Sequence, residues 1–91
     1  MPYDNDFLRQ LRNDISIDRM ITDILKVPAR RINKTLRFEC PKCQNRHTAI
    51  SREHNLARCF DCGISYNPID LVMAVTRSDF VEAVEFLKKH L

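Results

Sequence analysis

The sequence holds one glycine and four prolines in 91 residues, a scarcity that excludes a collagen-like repeat and a Gly/Pro-rich disordered tract. It has no internal repeat and no low-complexity segment. No apolar run approaches the roughly 18 residues of a membrane span. The start, MPYDNDFLRQ, carries acids where a secretory leader would carry lysines ahead of an apolar stretch. The expectation is therefore a cytoplasmic chain with no membrane partner. What is present looks globular: 44% apolar and 30% charged residues. A chain this short predicts one small domain, and such a domain buries only roughly 60% of its unfolded surface. A metal, a disulfide or a partner is expected to supplement the core.

The net charge of +3 conceals a segregated distribution. Residues 1–25 and 59–91 each carry three basic and five acidic side chains, whereas residues 26–58 carry nine basic against two acidic. A basic middle flanked by acidic ends gives a local field of the kind that attracts phosphate backbones.

Hydrophobic spacing predicts the elements. Phe7, Leu8 and Leu11 recur at helical intervals behind Asp4 and Asn5 as caps. Ser16 or Asp18 opens a second helix, with Ile17, Met20, Ile21, Ile24 and Leu25 on one side, ended by Val27-Pro28. The stretch PARRINK reads as a basic loop. Thr35 to Glu39 alternates with a period of two, and 48–51 and 56–60 are further extended segments joined by the polar run Arg52 to Asn55. Asn67-Pro68 starts a helix through Val75. Asp79 with Glu82 forms a capping box ahead of a last helix whose apolar stripe is Phe80, Val84, Leu87 and Leu91.

Cys40-Pro41-Lys42-Cys43 and Cys59-Phe60-Asp61-Cys62 are two CxxC pairs separated by fifteen residues. Each pair supplies one edge of a tetrahedron of sulfurs around zinc. In a reducing compartment such pairs favour metal over disulfides. A thioredoxin-like redox pair needs a βαβ setting and a single CxxC, and an iron–sulfur cluster also accepts four cysteines although this spacing is not a common cluster run. Structural zinc, one ion, is the reading that fits best. Four protein ligands leave no position for water, so no residue is assigned to catalysis and no small-molecule substrate is expected. His47 and His54 read as polar surface residues. Gly63 supplies the conformational freedom that closes the second metal loop.

The runs FECPKC, ARCFDCGISYNPIDLVMAV and DFVEAVEFL resemble the zinc-binding domain of bacterial DnaG-type DNA primases, the CHC2 zinc finger, over roughly residues 17–91. Two departures stand out: Cys43 occupies the position where that family usually has histidine, and Ile64 to Asn67 replaces glycines common there. The resemblance implies a zinc ribbon that reads single-stranded template DNA beside a catalytic core, such as a primase core or a helicase. Nothing in these residues corresponds to the carboxylates of a polymerase centre, so a non-enzymatic module is expected.

The overall expectation is an α+β fold, a small zinc ribbon of three to four antiparallel strands between N-terminal and C-terminal helices. Residues 1–15 form a helical arm and residues 16–91 the primase-like zinc-binding domain. The nucleic-acid face is expected to use Lys34, Arg37, Lys42, Arg46, Arg52 and Arg58 for phosphates and Phe60 for stacking. Phe38 is a second stacking candidate, although alternation sets it with Leu36 on the core side, and Tyr66 is either core or interface. The function expected is single-stranded DNA binding in replication or on a mobile element. The alternatives are an adaptor docking on a replication enzyme and the separate zinc-binding part of a split primase.

Overall fold

The computed structural model describes residues 3–90. Helix α1 (Asn5–Asp14) begins where the Asp4 side chain accepts from the Phe7 N–H at 2.7 Å. Its Leu8 and Leu11 are buried against helices α3 (Pro68–Thr76) and α4 (Phe80–Lys88). Helix α2 (Ile17–Arg19) runs directly into a π-helical turn, Met20–Ile24. The Leu25 N–H donates to the Met20 carbonyl at 2.8 Å, one residue further back than in an α-helix. That wider turn rotates the stripe: Ile17, Met20 and Ile21 are fully buried, while Ile24 and Leu25 are only half-buried.

The sheet contains five antiparallel strands in sequence order: β1 (Ala29–Ile32), β2 (Thr35–Phe38), β3 (Thr48–Ser51), β4 (Leu56–Cys59) and β5 (Ser65–Tyr66). The α+β class is as expected, with more strands than the three or four anticipated. PARRINK is not a loop: its centre is β1, joined to β2 through Asn33 and Lys34, both at positive φ (51° and 65°). Two such residues make the type I′ turn whose twist matches a hairpin. All four β1 residues are exposed, so no alternation of polarity marked the strand.

On the inner face, Leu36, Phe38, Ile50, Ala57, Cys59 and Tyr66 join the core cluster with the helices. Phe38, with 2% of its surface exposed, is a core residue. Helix α3 is capped by the Asn67 side chain, and Arg77 ends it in the left-handed conformation. Asp79 and Glu82 then form the expected reciprocal box at the start of α4. Ala83, Val84 and Leu87 face inward; Leu91 of the expected stripe lies outside the described residues. Among the described residues no helix is long and apolar enough to cross a membrane.

Candidate metal centre and nucleic-acid interface

Two backbone loops built alike hold the cysteines. In the first, the Gln44 N–H donates to the Cys40 carbonyl and the Cys40 N–H to the Asn45 carbonyl, both at 2.9 Å. In the second, the Gly63 N–H donates to the Cys59 carbonyl and the Cys59 N–H to the Ile64 carbonyl, again both at 2.9 Å. The residue closing each loop is left-handed, Gln44 at φ 66° and Gly63 at φ 74°. Sequence reading found the glycine but not its counterpart, because glutamine carries no turn signal.

The loops bring the four Sγ atoms within 4.8 Å of one another, with Cys40–Cys62 at 3.7 Å and Cys43–Cys59 at 3.4 Å. A tetrahedron with Zn–S bonds of about 2.3 Å has edges of about 3.8 Å, so the quartet already has the size of a zinc shell. All four cysteines are free of disulfides.

The electrostatics suit a cation. Burial raises the Cys40 thiol, but the amides of Cys43 and Lys42 and the Tyr66 hydroxyl outweigh it and bring it down to about 6. The Cys62 amide lowers Cys59 as well. At Cys43 the Asn45 amide opposes burial and the three neighbouring sulfurs, which push the thiol up to about 12. Sulfurs this close ionise together only when a positive ion compensates them. Tyr66 settles on the core side and places its hydroxyl 3.3 Å from the Cys40 sulfur, a supporting contact that the sequence did not reveal. His47 is exposed and its Nδ1 lies 2.6 Å from Asp61 Oδ2, linking the two halves of the site from outside; His54 is exposed too.

The outer face of the sheet carries the basic residues. Strand register places Arg30 opposite Arg37, Arg37 opposite Ala49, Ala49 opposite Arg58, and Arg58 opposite Ser65, one row across all five strands. Of the residues expected on a nucleic-acid face, Arg37 and Arg58 are in this row. Arg46 joins Arg30 and Arg37 around a cleft at the β1–β2 edge. Lys34 sits at the hairpin tip and Lys42 on the first metal loop, both exposed and outside the row. Arg52 is drawn to α2, with its Nε 2.7 Å from Asp18 Oδ2. Phe60 is 66% exposed on the second metal loop. Arg30 was not among the expected residues: the loop reading of PARRINK hid its register with Arg37.

A closed four-sulfur site on an antiparallel ribbon, buttressed by helices, defines a structural zinc-binding module. The chain belongs to the CHC2 zinc finger family, whose model matches residues 3–91 and so takes in α1 as well as the ribbon. It is thus a primase-like module that holds one structural zinc ion through Cys40, Cys43, Cys59 and Cys62. Comparison with curated proteins gives no match.

Proposed function

We propose that this module binds single-stranded DNA on the outer face of its sheet and performs no catalysis itself, acting beside a replication enzyme such as a primase core or a helicase. The observation that carries the proposal is the pairing of Arg30 with Arg37 in directly opposed positions. Like charges facing each other across two strands destabilise a sheet. Among the described residues neither arginine has an ion-pair partner. An external polyanion relieves that repulsion, and the Arg58 side of the row lies about 14 Å from Arg30 at ordinary strand spacing, far enough to engage successive phosphates. Exposed Phe60 adds a sequence-tolerant stacking surface. A non-catalytic role is supported by the donor set, since four sulfurs fill the zinc shell and leave no place on the metal to activate water.

The test is fluorescence anisotropy of the zinc-loaded chain with a labelled single-stranded oligonucleotide at several salt concentrations. Affinity is expected to fall with salt. Changing Arg37, Arg46 and Arg58 together to Ala is expected to reduce the slope of log K against log salt by about 2, three single-strand phosphates' worth. Unchanged affinity in that triple variant overturns the proposal.

A further inference from the structure

The β1–β2 edge of the outer face contains a cleft of about 340 Å³ whose lining mixes three kinds of chemistry. Pro28 and Ile32 supply apolar surface, Arg30, Arg37 and Arg46 supply cations, and Glu39 supplies one carboxylate. Ile32, at 41% exposure, is one of few large apolar side chains left open to solvent. Among the described residues, Glu39 and the three arginines make no ion pair, although they line the same small space. The Nε atom of Arg37 is shielded from solvent and has no hydrogen-bond acceptor. A buried donor without a partner costs about 1–3 kcal/mol, and the residue that bears it lines the cleft, where a ligand carrying acceptors would meet its guanidinium.

We infer that this cleft holds a single guanine nucleotide of the bound strand, its base resting against Pro28 and Ile32, its phosphate on the arginines and its Watson–Crick edge on Glu39. The inference rests on the single-strand reading above and adds a base preference to it. The volume suits one nucleotide, at the small end of ligand-site sizes. Simple phosphate binding would favour an all-cationic pocket, because a carboxylate repels the backbone; Glu39 therefore needs a donor. Unpaired bases are read on their Watson–Crick edges. Guanine presents two adjacent donors there, N1–H and the N2 amino group, which match both oxygens of a carboxylate. Cytosine and adenine offer one amino group beside an acceptor. Thymine flanks its single N–H with two carbonyl oxygens that oppose the second carboxylate oxygen.

The experiment compares a labelled oligothymidylate with the same oligomer carrying one central guanine, using zinc-loaded protein. The guanine-bearing oligomer is expected to bind roughly tenfold tighter. Glu39→Gln, which exchanges one acceptor for a donor, is expected to erase that preference without weakening oligothymidylate. Arg30→Ala is expected to weaken both oligomers. Equal binding of the two oligomers by the unmodified protein, or a preference that survives Glu39→Gln, overturns the inference while leaving the single-strand reading standing. If neither oligomer binds, that reading fails, and the cleft is judged with deoxyguanosine monophosphate: amide shift changes at Arg30, Arg37 and Glu39 uphold it, and unchanged shifts there overturn it.

Discussion

Asn55 holds Ile17 across the molecule: its side-chain Oδ1 accepts from the Ile17 N–H at 2.8 Å. The same amide group donates from Nδ2 to the carbonyls of Ile15, at 2.8 Å, and Arg12. One residue of the β3–β4 turn thus satisfies two carbonyls at the end of α1 and an amide at the start of α2, groups that a helix leaves unpaired. Asn55 is itself left-handed, at φ 53°, a conformation that asparagine tolerates better than most residues. Replacing it by Ala removes three hydrogen bonds in a half-buried place, and a loss of about 3 kcal/mol is expected in denaturant unfolding. Asn55→Asp should also destabilise, because it keeps the acceptor toward Ile17 but replaces the one nitrogen that donates to both carbonyls by an oxygen that repels them.

Removing the metal separates two parts of the core. Structural zinc contributes about 10–16 kcal/mol to folding at neutral pH, and here it joins the β2-side loop to the β4-side loop. Helices α1, α3 and α4 contact one another directly, through Leu8, Leu11, Leu71, Val84 and Leu87 among others. Chelation is therefore expected to collapse amide dispersion for residues 35–66 while part of the helical circular dichroism persists. Unchanged amide dispersion after complete zinc removal contradicts this.

Much of this arrangement was legible in the sequence, and the gaps have physical causes. The CxxC pairs, the Asn67 cap and the Asp79–Glu82 box are short-range patterns, and each is present with its geometry. Strand β1 was missed because Arg30, Arg31 and their neighbours are all exposed, so burial left no period to read. The π-helical turn at Met20–Ile24 was missed because the apolar spacing also fits an ordinary helix. Arg52 was grouped with the DNA-facing residues from charge alone, and only the fold shows it engaged by Asp18.

The two metal loops give a paired test of backbone strain. A Cβ added to Gly63 meets nothing within 4 Å, so Gly63→Ala carries only the cost of its left-handed backbone, about 1 kcal/mol. Gln44 already bears that cost. Gln44→Gly is expected to stabilise the zinc-loaded protein by roughly 0.5 kcal/mol, the strain relieved less the added chain entropy. Thermal unfolding of both variants in saturating zinc checks the opposite signs.

The Tyr3 hydroxyl donates to Glu85 Oε2 at 2.8 Å, tying the segment before α1 to α4. That bond, and Lys88 and Lys89 nearby, hold the Glu85 carboxyl below its ordinary value. A depressed folded-state pKa contributes stability that is present above the unfolded value of 4.5 and disappears as pH falls through the folded one. Carbon-detected titration of Glu85 is expected to give a midpoint below 4.5 that moves upward in Tyr3→Phe. An identical midpoint in the two proteins removes the hydrogen bond as the cause.

Arg52 and Arg58 offer the sharpest contrast between charge and position. Both are exposed and lie on one hairpin, so sequence alone treats them alike. Arg52 turns to Asp18, and an ion pair this open to solvent contributes at most about 1 kcal/mol. Arg58 stands in the row with Arg30 and Arg37, where the proposed strand runs. Arg58→Ala is expected to weaken oligonucleotide binding severalfold and flatten its salt dependence by about 0.7 in slope, with folding unchanged. Arg52→Ala should leave binding as it was and lower stability slightly. If the two variants lose affinity equally, then net charge rather than strand register governs the interaction, and the row is not the binding surface.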